Sequence, residues 1–564
     1  WEGPSPEVAR LGAAIAQGTG LPEIVGRVLA SRGVEPHEAA AQLAPTLREL
    51  MPDPSRLAGM DVAAARLHRA VGKGERIAVF ADYDVDGGAS AALLLTWLRA
   101  QGRAATLYVP DRIEEGYGPN EPAMAALGAA HDLIVCVDCG TLSHGPIAAA
   151  GCDVIVLDHH LAGADLPPAL AVVNPNRPDD ASGLGHLCAA GVVFLTLVAV
   201  NRLIRAEGAA GPDLMPLVDL VALATVADVA PLVGLNRAFV RQGLAVMRGG
   251  LRPGIAALAE AAGLVAAPGV HSLGFVLGPR VNAGGRVGAA DLGARLLATA
   301  DPHEAAALAG RLDRLNGERR AIEAEVLARA MAQAEANGVD GSLVWAAGEG
   351  WHPGVVGIVA ARLKEAFGRP ALVVGFAGAA GKGSGRSIHG VDLGAAVARL
   401  AAEGLIERGG GHRMAAGVSL SRDQLAPAIE RLAALLARKA AAPETGRPLL
   451  LTGLVPAGAD LAFAEAIAGA GPYGAEAPAP RVAVADARLT GLKRLGGGHL
   501  ALSATDGIGG RLEAVAFRVA ESPLGPLLEA SVGGRVHLAG RLEIDEWGGR
   551  RRVKLHVEDA ARPA

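Results

Sequence analysis

The sequence predicts an α/β protein in which a parallel-sheet domain precedes a long helix, a smaller α/β domain and a C-terminal β-barrel. Two observations support this. Continuous apolar runs alternate with helical segments between residues 77 and 173, as is typical of a parallel sheet covered on both faces. From about residue 482, β-type runs are separated by glycine turns, which favours a small barrel, with an OB-fold as the best candidate.

Length and composition limit what the protein can be. Of its 564 residues, 51% are hydrophobic and 20% charged, so the chain is globular and too long for one core. The net charge of −5 leaves no overall basic excess, so any surface that binds nucleic acid is local. We find no signal peptide or spanning apolar segment in the sequence, and we expect a cytoplasmic protein with no membrane association.

The four cysteines lie in or beside apolar runs: Cys136, Cys139, Cys152 and Cys188. The first two match C-x-x-C, but no second pair completes a zinc site. We expect buried, reduced thiols of an intracellular protein.

Polar side chains follow the predicted strands of the first domain. These strands lie at 77–80, 105–109, 133–137, 154–157 and 171–173. The residues after them include Arg112, Asp138, the pair His159 and His160, and Asn174. Parallel sheets bind ligands at the carboxyl ends of their strands, so these groups are candidates for one site.

Three carboxylates follow the first strand at alternate positions: Asp82, Asp84 and Asp86. In an extended chain, residues i, i+2 and i+4 point to one side. We expect Gly87-Gly88 to break the strand and Ser90 to cap a helix over 91–99. Three like charges repel one another unless a cation compensates them, and oxygen clusters suit Mg²⁺ or Mn²⁺.

Five residues can give two cations a shared set of oxygens and one imidazole: Asp84, Asp86, Asp138, His159 and Asp228. Asp228 follows an apolar stretch, where a carboxylate without a counter-charge is costly. Two metals roughly 4 Å apart are a recurring device for phosphoester hydrolysis. The imidazole favours Mn²⁺ over Mg²⁺.

The rest of the chain predicts further domains. A helix over 302–336 would span on the order of 50 Å. We assign 1–60 to a helical segment packed on the first domain, 61–300 to the catalytic domain and 301–338 to the connecting helix. A smaller α/β domain occupies 339–440, a linker lies at 441–448 and the barrel occupies 447–560. The barrel strands are predicted at 482–489, 500–504, 512–517, 536–544 and 553–557.

One stretch outside the acidic site is suited to binding phosphate. Residues 381–387 form a predicted glycine-rich turn whose amides would make an anion nest, and Arg386 would add a forked contact. Arg112 and Arg280 would approach the same cleft, where a bound terminal phosphate would set the direction of digestion.

A predicted hairpin in the barrel carries Trp547, the arginines at 550–552 and Lys554. Grooves for single strands combine such cations with stacking rings, although an ordinary solvated hairpin has the same composition. Only 3% of the residues are aromatic, so charge contacts with the nucleic-acid backbone should dominate binding.

Seven motifs, in order, resemble those of one family. Asp82–Gly87, Val137–Gly140, Asp158–His160 and Thr225–Asp228 resemble the DHH phosphoesterase superfamily. Trp351–Gly357, Gly383–Ser387 and Gly409–His412 resemble its companion domain, DHHA1. The resemblance covers roughly residues 60 to 560, and the length, long helix and terminal β domain are similar to the superfamily's bacterial 5′→3′ exonucleases specific for single-stranded DNA.

The resemblance implies metal roles for Asp84, Asp86, Asp138, His159 and Asp228, with Asp82 lining the site and His160 contacting the scissile phosphate. It implies two Mn²⁺ or Mg²⁺ ions, and Asp82 would either line their site or complete it. The proposed phosphate- or DNA-binding residues are Arg112, Arg280, His352, Ser384, Arg386, His412, Trp547 and Arg551. The implied partners are single-stranded DNA, a single-strand-binding protein and other recombination and repair proteins. Ala81, Gly88-Ala89 and His389 depart from the usual motifs, without removing a ligand.

Two other functions remain open. One is a phosphoesterase for short oligonucleotides, dinucleotides or pyrophosphate, although such relatives generally lack the long helix and barrel. The other is a catalytically silent DNA-binding scaffold, like the degenerate DHH-type subunit of eukaryotic replicative helicases. The intact set of aspartates and histidine argues against the scaffold.

Overall fold

The computed structural model describes residues 1–112, 114–437, 448–547 and 550–563, and only the backbone of residue 547. Of the predicted linker at 441–448, only Pro448 lies within the described residues. The chain forms two compact units. One comprises Trp1–Met51, Pro231–Gln242 and Arg447–Ala564, and the other comprises Pro52–Ala230 and Gly243–Gly446.

The helices are α1 (Pro6–Thr19), α2 (Glu23–Ala30), α3 (Ala39–Leu43), α4 (Leu47–Leu50), α5 (Met60–Lys73), α6 (Val85–Ala100), α7 (Glu121–Ala130), α8 (His144–Ala149), α9 (Ala189–Ala206), α10 (Val218–Ala227), α11 (Gly234–Gly249), α12 (Pro253–Ala261), α13 (Gly278–Val287), α14 (Leu292–Ala298), α15 (Pro302–Asn337), α16 (Pro353–Phe367), α17 (Leu393–Ala402), α18 (Leu425–Ala437), α19 (Leu461–Gly469) and α20 (Leu524–Ala530). The strands are β1 (Ile77–Ala81), β2 (Ala105–Tyr108), β3 (Leu133–Val137), β4 (Asp153–Leu157), β5 (Ala171–Val173), β6 (Val344–Glu349), β7 (Ala371–Ala377), β8 (Ala380–Arg386), β9 (Arg408–His412), β10 (Ala415–Ser421), β11 (Gly453–Leu454), β12 (Val482–Leu495), β13 (His499–Thr505), β14 (Arg511–Ala516), β15 (Arg535–Trp547) and β16 (Arg550–Ala561).

The first sheet is parallel and has the order β2-β1-β3-β4-β5, which confirms the predicted fold class. Every residue of β1 and β3 is buried, because helices cover both faces of such a sheet. The strand order reverses between β1 and β3. In doubly wound sheets a ligand crevice opens at this reversal, outside the carboxyl ends of the strands.

The long helix α15 connects this domain to the second sheet. Its 36 residues span about 54 Å at a rise of about 1.5 Å per residue. The Asp301 side chain caps its first turn. Near its carboxyl end, Val326, Ala330 and Ala334 belong to the core of the second sheet. The helix is therefore packed against folded structure rather than exposed as a free rod.

The second sheet is mixed, with the order β6-β7-β8-β10-β9. β6 and β7 are parallel, whereas β7, β8, β10 and β9 pair antiparallel. Its core includes Leu372, Val374 and Phe376 of β7 together with residues of α17 and α18. This is the smaller α/β domain that the sequence predicts.

The terminal strands form a closed barrel. Pairing runs β12-β13-β14-β16-β15, and β15 returns to β12. Closure removes the unpaired edges that an open sheet of these strands would expose. Each of the five predicted β segments falls on one of these strands, with 512–517 running one residue past β14. The short β11 adds to β12.

The N-terminal helices pack with the barrel, so the prediction that residues 1–60 pack on the first domain is wrong for Trp1–Met51, whereas the residues from Pro52 onwards belong with that domain. Ile24, Val25 and Val28 of α2 are part of the barrel's apolar core. The Glu2 N–H donates to Leu449 O at 3.0 Å, and Leu451 N–H donates to Glu2 O at 2.8 Å. The helices fill apolar surface of the barrel that the sequence pattern alone did not assign.

Helix α9 has 18 residues and is the one described helix whose length and composition would allow it to cross a membrane. However, 72% of it is buried inside the fold. Core helices of globular proteins share this apolar composition, and α9 packs against α5 and α6. The cysteines also match their prediction, since all four are free thiols and Cys136, Cys139 and Cys188 are buried.

Candidate metal centre

The acidic residues after β1 lie on a strand-to-helix turn. β1 ends at Ala81, Asp84 is the N-cap of α6, and Asp86 occupies the first helical turn. The prediction that these residues alternate along an extended strand is therefore wrong, as is the prediction that Gly87-Gly88 breaks it and Ser90 caps the helix. Asp84 Oδ1 accepts the N–H groups of Asp86 and Gly87 at 2.9 and 3.1 Å, which starts the helix earlier.

Glycine at position 87 permits this tight turn. A Cβ atom there would lie 2.4 Å from the carbonyl oxygen of Asp82. No side chain fits at that distance, so the helix can fold back over the strand end only with glycine. The turn, rather than strand alternation, makes the carboxylates converge.

The backbone aligns three acidic residues along the carboxyl edge of the sheet. The N–H groups of Asp82, Asp138 and Asp158 donate to the last residues of the neighbouring strands, at 3.4, 3.0 and 3.0 Å. Each residue thus extends the ladder by one position before the chain leaves the sheet. The carboxyl ends of these strands lie along one edge of the sheet, as the sequence predicts.

His159 lies at the centre of the acidic cluster. Its Nε2 is 3.3 Å from Asp138 Oδ1, 3.7 Å from Asp86 Oδ2 and 3.8 Å from Asp228 Oδ2. Three overlapping groups have ligand atoms within 4.8 Å of one another. They are Asp82, Asp84 and Asp138; Asp86, His159 and Asp228; and Asp138, His159 and His160. The structure therefore brings together all seven residues predicted from the acidic and histidine motifs.

Two buried carboxylate oxygens in this cluster lack hydrogen bonds. Asp82 Oδ1 and Asp138 Oδ1 accept none from any described residue, and both side chains are buried. A buried acceptor without a partner is costly. Oxygens left in this way next to an imidazole fit a divalent cation, and the donor set suits Mn²⁺ or Mg²⁺.

The electrostatics of the metal-free cluster support this interpretation. Burial, and then the charges of Asp86 and Asp84, raise the pKa of Asp138 well above its ordinary value. Burial and the charge of Asp84 do the same for the pKa of Asp82. Burial and the charge of Asp86 raise the pKa of Asp228 to about 8. Without a cation, these carboxylates are therefore driven to hold protons.

Asp86 has a second function at the start of α9. Its two oxygens accept the N–H groups of Ala189 and Ala190 at 2.6 and 2.8 Å. The helix N-terminus favours a negative charge there, and each carboxylate oxygen keeps a further lone pair for a metal. Sequence patterns do not indicate this contact, because the two segments lie 103 and 104 positions apart.

His160 is held by Asp158, a residue that the site prediction missed. Asp158 Oδ1 lies 2.8 Å from His160 Nδ1 and accepts the backbone N–H groups of His159 and His160. Burial opposes a charge on His160, but the bond to Asp158 outweighs it and raises the pKa of His160 to about 9. In the metal-free cluster, the protonated form of the imidazole is therefore favoured. The signal was present, because Asp158 directly precedes the histidine pair.

The predicted phosphate residues lie in part around one pocket of about 490 Å³. Its lining includes Arg112 from the first domain and Lys382, Ser384 and Arg408 from the second. Four glycines, Ser419 and the apolar Pro353, Val356 and Val418 form the rest of the lining, so three cationic side chains stand over a lining of small and apolar residues. A pocket of this kind suits an anion.

Residues 380–386 form strand β8 and not a turn, so the predicted anion nest is wrong. β8 pairs along its length with β7 and β10, which uses its amides in the sheet. Arg386 Nη1 donates to Ser384 Oγ at 2.8 Å. The absence of a side chain at Gly357 leaves room for this pair, since a Cβ there would lie 3.0 Å from Arg386 Nη2.

Charge interactions connect Arg112 to the second domain. Burial, and then the charge of Arg112, lower the pKa of Arg386 and the pKa of His352. His352 also caps α16 through Nδ1, which accepts the Gly354 N–H at 3.0 Å. Arg286, which the prediction missed, has its pKa lowered to about 10 by burial and by the charge of Arg112. It donates to Gly354 O at 3.1 Å.

Two other predicted residues lie apart from this pocket's lining. Arg280 pairs with Asp313 at 2.9 Å and donates to Val276 O at 2.8 Å. His412 is exposed at the end of β9, whereas Gly409 and Gly410 of the same strand line the pocket. Their roles in binding DNA stay predictions.

The predicted basic hairpin consists of β15 and β16, and the side chain of Trp547 lies outside the described structure. Arg551 pairs with Glu465 at 2.7 Å and Arg552 with Glu513 at 3.2 Å, and Lys554 pairs with Asp545. Arg511, Arg551 and Arg552 line a groove of about 760 Å³ on the barrel. The hairpin is thus less cationic than its sequence suggests.

Family comparisons agree with this architecture. The DHH family N-terminal domain matches residues 76–225. The DHHA1 domain matches residues 340–438, and the RecJ OB domain matches residues 453–559. The matched segments contain the first sheet, the second sheet and the barrel.

Similar proteins cover almost the whole chain. The single-stranded-DNA-specific exonuclease RecJ of Dickeya dadantii is 40% identical over 95% of this chain and 96% of its own length. Its Escherichia coli namesake is 37% identical over 96% of both chains. The Thermus thermophilus RecJ structure in complex with Mn²⁺ aligns with all of this chain and 80% of its own, with a TM-score of 0.82 at 32% identity. The corresponding Mg²⁺ complex gives a TM-score of 0.77 at 31% identity. By this extent of identity and coverage, the chain belongs to the RecJ family.

Proposed function

We propose that this protein is a metal-dependent exonuclease that hydrolyses the phosphodiester bonds of single-stranded DNA from the 5′ end, in recombination and repair. One observation carries the proposal: the buried Asp82 and Asp138 oxygens, at the reversal of a parallel sheet, accept no hydrogen bond from any described residue. Relatives named as single-stranded-DNA-specific exonucleases supply the substrate class.

Six side chains would hold two divalent ions: Asp82, Asp84, Asp86, Asp138, His159 and Asp228. When bound, the ions activate water and stabilise charge on the leaving oxygen. Asp138 belongs to two of the three ligand groups, so we assign it a position shared by both ions. Asp86 is fixed by the first amides of α9, which keeps its oxygens in place before the substrate arrives.

His160 would bind the scissile phosphate. Asp158 stabilises the protonated form of its imidazole. Asp158 also fixes the ring through Nδ1, which leaves Nε2 for a substrate oxygen. A charge-assisted hydrogen bond there would stabilise charge that develops on the phosphate in the transition state.

The pocket lined by Arg112, Lys382 and Ser384 would hold the terminal phosphate, with Arg386 beside Ser384. A 5′-phosphate held there would place the next linkage over the metal centre. This arrangement supports digestion from the 5′ end. The barrel groove with Arg511, Arg551 and Arg552 would bind the strand further along through its backbone.

A single-strand-binding protein as partner follows from the family resemblance, and a cytoplasmic location is also part of the proposal. A phosphoesterase for short oligonucleotides has the same metal centre. We favour the exonuclease because the chain also carries α15 and the closed barrel. The silent scaffold is disfavoured, since it has no use for unpartnered buried carboxylates.

The test uses one oligonucleotide labelled at its 5′ or 3′ end, single-stranded or in a blunt duplex, with Mn²⁺, Mg²⁺ or EDTA. We expect mononucleotides to be released from the 5′ end of the single strand with either metal, and no release in EDTA. Comparable rates on the blunt duplex would contradict single-strand specificity. Digestion from the 3′ end would contradict the polarity, and activity in EDTA would contradict metal dependence.

A further inference from the structure

Tyr117 lies beside the metal centre in the loop segment 114–120, which precedes α7. It lies between Gly116 and Gly118, whose φ angles are +92° and +74°, a region that favours glycine. Behind it, Glu115 Oε2 accepts from the Tyr108 hydroxyl at 2.7 Å and from Asn120 Nδ2 at 2.8 Å. The loop is therefore held by its own hydrogen bonds, independently of the metal ligands.

The Tyr117 hydroxyl touches two functional residues. It donates to the carbonyl oxygen of Asp138 at 3.0 Å. It also lies 3.1 Å from Nδ1 and 3.3 Å from Nε2 of His160, and the two rings meet edge to face at 5.5 Å. Tyr117 is 53% exposed, so core packing does not explain its position.

Asp138 needs backbone support at this point. Its φ angle is +60°, a left-handed conformation that is uncommon for a residue other than glycine. The conformation turns the chain away from β3 and leaves the side chain in the acidic cluster. A hydrogen bond to the Asp138 carbonyl stabilises the peptide that follows this turn.

The hydroxyl can serve both neighbours at once. A phenol has one hydrogen to donate and lone pairs with which to accept. Its hydrogen goes to the Asp138 carbonyl, and its oxygen lies against the His160 ring at similar distances from the two ring nitrogens. Asp158 holds Nδ1 of the same ring at 2.8 Å. Two fixed groups, Asp158 and Tyr117, therefore set the orientation of the imidazole.

We propose that Tyr117 is a positioning residue for hydrolysis, whose hydroxyl fixes the His160 ring relative to the Asp138 turn. This inference rests on the proposed function, because it assumes that His160 acts on the scissile phosphate. Among the described residues, the hydroxyl contacts the Asp138 carbonyl and the His160 ring and is hydrogen-bonded to no carboxylate of the metal centre. Its loss should slow the chemical step and leave the binding of metal and DNA intact.

The test compares Tyr117→Phe with Tyr108→Phe, a matched variant that removes a hydroxyl supporting the same loop from behind. Steady-state hydrolysis of a 5′-phosphorylated single-stranded oligonucleotide gives kcat and KM, and Mn²⁺ titration gives metal affinity. We expect Tyr117→Phe to lower kcat about tenfold, which corresponds to about 1.4 kcal/mol, with KM and Mn²⁺ affinity within about twofold. Tyr108→Phe should keep kcat within about twofold.

A tenfold loss in both variants would show a general loop effect and would overturn the inference. An unchanged kcat in Tyr117→Phe, or a loss explained by weaker Mn²⁺ binding, would also overturn it.

A double-mutant cycle separates this inference from the proposed function. In a His160→Gln background, measured in single turnover with excess enzyme over hours, Tyr117→Phe should slow hydrolysis less than about twofold. A further tenfold loss would show that Tyr117 does not act through His160, while the proposed function stands. A His160→Gln enzyme with wild-type rate would instead contradict the proposed role of His160, and with it the premise of the inference.

Discussion

The metal centre and the barrel hairpin both collect side chains of like charge, but they differ in whether the fold supplies a partner for those side chains. In the first, Asp82 and Asp138 are buried, and each has an oxygen that accepts no hydrogen bond from any described residue. In the second, Arg551, Arg552 and Lys554 are each paired with a carboxylate at the surface. Both stretches are conspicuous in the sequence, but of the two only the aspartates have buried oxygens without a hydrogen bond from any described residue.

The difference shows what identifies a functional site. A run of like charges in a sequence does not reveal whether the fold provides the opposite charge. An exposed pair contributes little, about 0–1 kcal/mol, whereas a buried charge without a partner is strongly destabilising. Uncompensated burial therefore indicates a missing ligand more reliably than charge density does.

Asp138→Ala should have the largest effect, because it removes the carboxylate that two ligand groups share. We expect hydrolysis at saturating Mn²⁺ to fall by more than the roughly 100-fold that second-shell changes cause, with binding of single-stranded DNA retained. Asp132→Ala is the matched control, since Asp132 lies at the opposite end of β3 in an exposed pair with Arg76. Normal turnover by Asp138→Ala would contradict the two-metal assignment.

Arg386→Ala should have the next largest effect. It removes a charge-assisted contact worth on the order of 1.5–3 kcal/mol, so kcat/KM should fall roughly tenfold to hundredfold on 5′-phosphorylated DNA. A 5′-hydroxyl oligonucleotide never makes this contact and should lose much less. Arg399→Ala, in an exposed pair with Glu403, serves as the control. Equal losses on both ends would place Arg386 elsewhere along the strand.

The stability of the metal-free protein should decrease as the pH rises. Folding raises the pKa of Asp228 to about 8 from about 3.9 in an unfolded chain. The folded state therefore holds a proton that the unfolded state releases, and this stabilisation is lost as pH rises towards 8. His160, whose pKa is raised to about 9, acts in the same direction, because its stabilising proton is lost as pH rises through 9.

Thermal unfolding between pH 6 and 9, with EDTA or Mn²⁺, tests this dependence. A fixed Mn²⁺ concentration of 100 times the Kd at pH 6 should add about 2.7 kcal/mol per site there. The gain in Tm should grow with pH, because the protons that compete with the metal are released. Asp228→Asn should flatten the slope seen in EDTA. A gain in Tm that does not change with pH would contradict the interpretation that the buried carboxylates hold protons when no metal is bound.

Arg551→Ala should have the smallest effect. Its exposed pair with Glu465 contributes about 0–1 kcal/mol, and part of its charge is already neutralised. We expect unfolding free energy within about 1 kcal/mol of wild type and a loss of affinity for single-stranded DNA of only about twofold to threefold. Fluorescence anisotropy at fixed salt measures this. A loss of affinity of tenfold or more would contradict the claim that the charge of Arg551 is already partly neutralised.

The sequence was sufficient to predict that the carboxyl ends of the strands converge at one edge of the sheet. It was not sufficient to predict the backbone conformation at those ends. Asp82, Asp138 and His159 follow buried strands, and parallel strands bring their carboxyl ends to one edge. The convergence of Asp84 and Asp86 was predicted for the wrong reason, because periodicity does not distinguish a short extended run from a strand-to-helix turn. The 2.4 Å approach at Gly87 is visible only in the fold.

Contacts between distant segments were beyond sequence reasoning. Nothing near Asp86 indicates the amides of α9, and nothing near Ile24 indicates the barrel core. The glycines of β8 suggested a turn, although residues on neighbouring elements require them. A Cβ at Gly383 would lie 2.7 Å from Val418 and 2.9 Å from Val374. Glycine thus indicated close packing here rather than a loop.

The most direct test of the account is the number of Mn²⁺ ions that the protein binds. Electron paramagnetic resonance of free Mn²⁺, titrated against the metal-free protein at pH 7.5, gives this number and the affinities without any substrate. We expect two ions per chain for the wild type and for Asp132→Ala. In Asp138→Ala we expect both ions to bind more weakly. Fewer than two ions in the wild type, or unchanged binding of both ions in Asp138→Ala, would contradict it.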